Sequence, residues 1–410
     1  LTSLNSASVV LKIITGLISS KVIAVFLGAP GMALVGNMRN FFTSVETIST
    51  LGFQNGIVKY SAENQENKEG LKKVLSTVFF TLVFASILFG FVLFIFASHW
   101  NKEVFGQNSS YGFVFKILAL VLPFYVLNLF LISIINGFGK FKPVIFINIF
   151  GNILGLLVSI VLIYNYNVSG ALVSIVVTPA LLFFISLYYG SKEFSFKENI
   201  SWTSFDFSII KNLSSYSIMA LVYGFIGPLV YLAIRNNVID KLGLEQAGFW
   251  SAMERISSNY LLFITTLLSV YFLPKLVLAK DNQETKRVFW SYFKTIIPIF
   301  VFGLILIYFL RFLIVKILFT QEMMPVSNLF FWQLVGDVFK AISLILGYQF
   351  FAKKMTKAFV ITEICSLAIL YFSSIYFVEV FQIEGVVIAH ALTYGIYLLV
   401  MCFYFRKSLF

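Results

Sequence analysis

The sequence predicts an all-α integral membrane protein of about twelve transmembrane helices, and three observations predict it. The chain is 59% hydrophobic, with a mean hydropathy of +0.92. Only 12% of its residues are charged. Soluble domains carry about 25%, so a soluble enzyme is excluded. Apolar runs of about 20 residues recur along the whole length, each long enough to cross a bilayer as a helix. Barrel-type alternation of apolar and polar residues is not seen. The helix is then the element that satisfies every backbone polar group in lipid.

The expected spans are 5–26, 32–58, 74–97, 112–136, 143–164, 168–189, 213–236, 247–273, 288–310, 326–351, 358–378 and 383–404. Basic residues of the connecting loops set their orientation. One side holds Lys59, Lys68, Lys72, Lys73, Lys140, Lys142, Lys192, Lys197, Lys211, Lys275, Lys280, Lys286, Arg287, Lys353, Lys354, Lys357, Arg406 and Lys407. The other holds Lys102, Arg235, Lys241, Arg311 and Lys316. The positive-inside rule places the richer side, and both termini, in the cytoplasm. These loops read as topology signals and anionic-lipid contacts, with no nucleic-acid partner.

One constant shift along the sequence maps span onto span. It pairs Leu27-Gly28 with Leu242-Gly243, Met38 with Met253, Thr50 with Thr265, Phe124 with Phe339, Gly170 with Gly385 and Thr178 with Thr393. Six spans per half give both halves the same orientation, a parallel repeat with a site between its lobes. The expected division is a first lobe at 1–190, a cytoplasmic linker at 191–211 and a second lobe at 212–410.

Seven cations fall inside spans: Lys12, Lys21, Arg39, Lys116, Arg255, Lys294 and Lys340. A charge at the bilayer centre costs at least ~2.5–3.5 kcal/mol on insertion scales. In the first span Asn5, Ser8, Lys12, Thr15 and Ser19 share a face; in the second Gly36, Arg39, Thr43, Glu46, Thr50 and Gln54 do. The stripes either line a hydrated cavity for an anion or glue helices together through small polar residues. Lys12 and Arg39 favour the cavity, because a full charge needs water or a partner.

Glu46 either neutralises Arg39 or exchanges protons. Glu254 and Arg255 are neighbours and cannot share a face, so one of them ties down an adjacent helix. Asp337 and Lys340 lie one turn apart, as a neutralising pair or as part of the cavity, with Gln333 on the same face. Glu363 and His390 are weaker candidates for the same cavity, and Glu46, Glu254, Asp337, Glu363 and His390 are the candidates for proton or ion coupling. Gly224, Gly227 and Pro228 predict a kink, for gating or as a static bend. Arg235 ends that span as a snorkelling anchor or an outer-gate cation. Cys365 and Cys402 read as packing residues, and no metal spacing or cofactor motif is present. No phosphate loop is found, so any transport draws on gradients, membrane potential or substrate concentration.

Several stretches resemble Wzx-type polysaccharide flippases. They are Gly28-Ala29-Pro30-Gly31-Met32-Ala33-Leu34-Val35-Gly36-Asn37-Met38-Arg39, Phe53-Gln54-Asn55-Gly56-Ile57-Val58-Lys59-Tyr60, Ser269-Val270-Tyr271-Phe272-Leu273-Pro274 and Phe331-Trp332-Gln333-Leu334-Val335-Gly336-Asp337-Val338-Phe339-Lys340. The similarity covers nearly the whole chain. The resemblance implies the multidrug/oligosaccharidyl-lipid/polysaccharide (MOP) exporter fold: two six-helix lobes around a cationic cavity. It implies a bacterial inner-membrane flippase, not an enzyme, that moves undecaprenyl-pyrophosphate-linked oligosaccharide, an O-antigen or similar repeat unit, to the periplasmic leaflet by alternating access.

The family's cavity cations carry over to Lys12, Lys21, Arg39 and Lys59, with Arg255 and Lys340 as further pyrophosphate contacts. The expected protein is a monomer, surrounded by membrane lipids and served by a polymerase and chain-length machinery. Alternatives are a multidrug exporter or lipid-precursor exporter of the same superfamily, and a membrane glycan polymerase or ligase. The last needs a large outward catalytic loop, whereas loops such as 98–111 are short.

Overall fold

The computed structural model describes residues 2–107 and 109–409. The side chains of Thr2, Ser3, Asn5, Ser6, Ser215 and Tyr216 lie outside that description, and with them the Asn5 position of the first polar stripe. So does Asn108, in the 98–111 loop.

The helices are α1 (Thr2–Ser49), α2 (Gln54–Glu63), α3 (Lys68–Ile95), α4 (Ala97–Phe105), α5 (Gly112–Gly137), α6 (Phe141–Glu193), α7 (Phe196–Asn199), α8 (Phe207–Leu221), α9 (Gly227–Leu242), α10 (Leu244–Leu267), α11 (Leu273–Leu278), α12 (Asn282–Phe309), α13 (Arg311–Leu318), α14 (Phe330–Ala352), α15 (Thr356–Phe381), α16 (Glu384–Tyr404) and α17 (Arg406–Leu409). No strand occurs among the described residues.

Ten helical stretches of the described residues are long and apolar enough to cross a membrane, and the chain is a multi-pass membrane protein. Two of them, Ala7–Glu63 and Phe141–Glu193, have 57 and 53 residues. At 1.5 Å per residue each is roughly 80 Å long, more than twice the hydrocarbon thickness. Each is broken in the middle, at Gly28 (φ 64, ψ −166) and at Asn167 (φ 51, ψ −129). Each therefore makes two crossings, and the ten stretches supply the twelve expected spans. The second span ends earlier than the expected residue 58. Leu51 and Gly52 turn left-handed after Ser49, so Gln54 starts a new helix instead of continuing the Arg39 face.

The repeat is written in the backbone. Gly28 and Gly243, Gly139 and Lys354, and Asn167 and Gln382 are all related by the sequence shift that relates the halves, and all six have positive φ. Gly170 and Gly385 repeat as well. A side chain at Gly170 would strike the backbone of Leu162 and Ile163, and one at Gly385 that of Phe377 and Val378. Those obstacles are themselves repeat mates, Leu162 of Phe377 and Ile163 of Val378. Asn67 and Asp281 cap the third helix of each half by accepting from the N–H of Gly70 and of Glu284.

The chain forms two compact units, Leu1–Ser19 with Leu34–Leu232, and Ser20–Ala33 with Ala233–Phe410. The expected lobes divide the sequence at the linker, whereas the units divide it inside helices. In unit 1, α5 packs against α6, α3 and α2. The linker is pinned to α3: Ser76 accepts from the N–H of Ser201 at 2.9 Å, and Thr77 accepts from that of Asp206 at 2.9 Å. Asp206 in turn caps α8 by accepting from the N–H of Ser208. In unit 2, α14 and α15 both pack on α16, and α12 packs on α14.

Candidate functional site

In unit 1 the polar residues gather around Glu46. Its carboxylate accepts hydrogen bonds from the Tyr125 hydroxyl on α5 and from the Gln54 side chain at the start of α2. Lys12 is the cation whose charge acts on it. Phe42 holds the Tyr125 ring at 5.1 Å. Lys12 is exposed and Arg39 half-buried. The stripe threonines bond within their own helix: Thr15 to the Leu11 carbonyl at 2.8 Å, Thr43 to that of Arg39 at 3.0 Å, and Thr50 to that of Glu46 at 2.9 Å. These hydroxyls are satisfied locally and need no ligand.

The expected kink in the seventh span is a π-helical turn, Val222–Ile226, followed by Gly227 and Pro228. Proline has no N–H to give the carbonyl four residues earlier, here that of Gly224. Thr47 replaces it, donating to the Gly224 carbonyl at 2.9 Å. Ser44 donates to the adjacent Phe225 carbonyl at 3.0 Å. A side chain at position 224 would collide with the Thr47 hydroxyl, so glycine is what permits the approach.

In unit 2 the centre is Asp337, 0% exposed. It accepts from Ser257 Oγ at 2.7 Å, from the Tyr260 hydroxyl, and from Gln333 Nε2 at 3.2 Å. His390 Nε2 lies 2.9 Å from its Oδ1. The close partner of Asp337 is His390. Lys340 Nζ sits 4.9 Å from the centre of the Tyr394 ring, and that ring packs edge-on against His390 at 4.8 Å. The charge of Lys340 still acts on Asp337 and also on Glu363. Gly336 makes the arrangement possible, since a side chain there would run into His390.

The remaining cations have structural partners. Arg235 is 1% exposed, so it is not a snorkelling anchor. It pairs with Glu254 and lies 4.9 Å from the Trp250 ring centre. Arg255, next to Glu254, points elsewhere and donates to Ser20 Oγ at 3.3 Å. Lys21 donates to the carbonyl of Phe319, the residue that ends α13, where a cation complements the helix dipole. Lys59 pairs with Glu63 at 3.6 Å on a half-exposed turn. Tyr125, Ser257, Tyr260 and Gly336 are residues that sequence reasoning did not assign to a site. The only prior signal was positional: Ser257 and Tyr260 are three apart on one helix face, and Gly336 precedes Asp337.

The family of polysaccharide biosynthesis proteins matches residues 22–328. Over 398 residues the chain is 26% identical to the lipid III flippase of Escherichia coli (strain K12), covering 97% of this chain and 95% of that protein. It is 24% identical to a putative O-antigen transporter of Shigella flexneri over 352 residues, covering 83% and 82%. Among solved structures, an inward-facing multidrug transporter of the MATE family in the MOP superfamily superposes with a TM-score of 0.82 at 13% identity, covering 97% of this chain and 94% of that one. The lipid II flippase MurJ in an inward closed conformation gives 0.75 at 16%, covering 99% and 87%. These likenesses show that the chain shares the all-helical fold of those two proteins, as expected from the sequence. With a family profile over most of its length, the chain belongs to the family of polysaccharide biosynthesis proteins.

Proposed function

We propose that this protein is a flippase for undecaprenyl-pyrophosphate-linked oligosaccharide, carrying it from the cytoplasmic to the periplasmic leaflet of a bacterial inner membrane by alternating access. The observation that carries the reading is the end-to-end similarity to a lipid III flippase. The retained cations support it. Lys12 and Arg39 lie within membrane-spanning helices of unit 1, where a cation is costly unless it meets a polar partner or a polar ligand. The pyrophosphate is assigned to these two residues. The sugars are left to polar and aromatic groups and the prenyl tail to the bilayer. The excess of lysine and arginine in one set of loops supports cytoplasmic termini. The protein acts as a monomer, and a polymerase with its chain-length machinery consumes the product.

The test is flipping in proteoliposomes of a short undecaprenyl-pyrophosphate oligosaccharide, read by its accessibility to an external glycosidase. Wild-type protein should translocate it, and Arg39→Ala should slow translocation at least about tenfold, the loss of one charge-assisted contact. Export of a cationic dye with no translocation of the oligosaccharide would move the protein to the multidrug branch.

A further inference from the structure

Each half places a short helix after its third membrane crossing: α4 follows α3 in unit 1, and α13 follows α12 in unit 2. The sequence shift that relates the halves lays residues 96–103 on residues 311–318. The exposed faces of the two helices differ in kind. The first exposes Ser98, His99, Lys102 and Glu103, and the second exposes Phe312, Leu313, Lys316 and Ile317. At two matched positions, Ser98 with Leu313 and Lys102 with Ile317, an exposed polar side chain is matched by an exposed aliphatic one. The polar face of α4 suits water. The apolar face of α13 calls for a cover.

The helix that leads into α13 says what the cover is. With 28 residues α12 is roughly 42 Å long, the thickness of a bilayer with its headgroup regions. Only 6% of its most apolar stretch is buried inside the protein, against 33% for α3, its counterpart. Its exposed Phe302, Ile305 and Phe309 therefore meet acyl chains, and the apolar exposure continues along the chain into Phe312, Leu313 and Ile317. By its length α12 delivers α13 to headgroup level, on the side opposite the lysine-rich loops.

Charge narrows the kind of lipid. The Arg311 guanidinium carbon lies 4.2 Å from the centre of the Tyr308 ring and 4.4 Å from that of Phe312. Its Nη1 donates to the Tyr308 carbonyl at 2.8 Å. Neither Arg311 nor the exposed Lys316 has a carboxylate partner among the described residues, whereas Arg235 pairs with Glu254 and Lys241 with Glu379 on that same side. Cations are disfavoured on this side of a membrane protein, so two kept without a counter-ion point to an anion from outside the chain. A guanidinium held by aromatic rings keeps its planar donor fork ready for phosphate.

We propose that α13 is an interfacial helix that binds anionic phospholipid on the side opposite the lysine-rich loops, while its counterpart α4 stays in water. Phe312, Leu313 and Ile317 enter the acyl boundary, and Arg311 and Lys316 meet headgroup phosphates. Two positive charges without a counter-ion in the protein favour a lipid of net negative charge. The site does not rest on the flippase reading.

The test uses the full chain in nanodiscs, with Cys365→Ala and Cys402→Ala removing its two thiols. A bimane fluorophore is attached at Ile317→Cys or, for comparison, at the matched Lys102→Cys. Phosphatidylglycerol or phosphatidylcholine with brominated chains is then supplied as the quencher. Bimane at 317 should be quenched strongly and bimane at 102 weakly. Phosphatidylglycerol should win over phosphatidylcholine at 317, and Arg311→Gln and Lys316→Gln should each cut that preference about fivefold. The second variant keeps the test open if the first does not fold. Weak quenching at 317, equal to that at 102, overturns the embedding and leaves the apolar face to a protein partner. Equal quenching by the two lipids, or a preference that ignores both variants, overturns the headgroup site.

Discussion

At matched positions of the two halves the turns repeat and the buried charges do not. Gly28 matches Gly243 and Asn167 matches Gln382 in backbone angle, and Gly170 and Gly385 meet equivalent backbone. Yet Arg39 falls opposite Glu254, Tyr125 opposite Lys340, Asp337 opposite Leu122 and His390 opposite Ile175. Backbone turns answer to sterics that any twelve-span chain of this connectivity must satisfy, so both halves keep them. A charge in lipid is kept only where it is used. The first half therefore keeps Glu46 under the charge of Lys12, and the second holds a carboxylate–imidazole pair.

Three experiments break or sharpen this contrast. The largest effect is expected from the repeat mates Arg39 and Glu254. Glu254→Ala removes the carboxylate paired with the buried guanidinium of Arg235 and should lower stability by about 3–5 kcal/mol, whereas Arg39→Ala, at a half-buried position, should lower it less and slow transport at least about tenfold. Thermal unfolding in detergent, run beside the flipping assay, distinguishes them; equal destabilisation by both would erase the distinction.

Next come the shared turns. Gly170→Ala and Gly385→Ala each force a methyl group against backbone and should cost ~1–3 kcal/mol apiece. A marked inequality in their melting temperatures would show that the repeat is not energetically even. The smallest effect is at the caps, where Asn67→Ala and Asp281→Ala should each cost ~1 kcal/mol. Asp281 should cost more, because its carboxylate carries a full negative charge at the helix N-terminus whereas Asn67 is neutral.

The sequence made the fold legible because hydropathy alone marks a span, and a glycine such as Gly28 or Gly243 announces a positive-φ turn. Asn167 and Gln382 do the same work without that signal, so the breaks at those positions were placed by span length alone. The site was legible in part. Gln333 and Asp337 share a face by spacing, and Lys12 and Arg39 stand out by charge. Partners across helices were not legible, because hydrogen bonds such as Tyr260 to Asp337 depend on which faces pack together, which no single helix records. The eighth span shows this: its charged residues Glu254 and Arg255 stand out by charge, whereas Ser257 and Tyr260, which donate to the buried carboxylate, carry no such mark. Arg235 was misplaced for a related reason. A cation at a span's end usually reaches for water, whereas Arg235 is held inside beside Trp250 and Glu254.

The way the compact units share out the chain has a consequence for cutting it. Unit 1 draws residues up to Leu232 from the second repeat, including the Gly224 and Phe225 carbonyls that Thr47 and Ser44 clasp. Unit 2 draws Ser20–Ala33 from the first. A fragment ending in the 191–211 linker would therefore lack part of unit 1, and the complementary fragment would lack part of unit 2, so neither half carries a complete unit by itself.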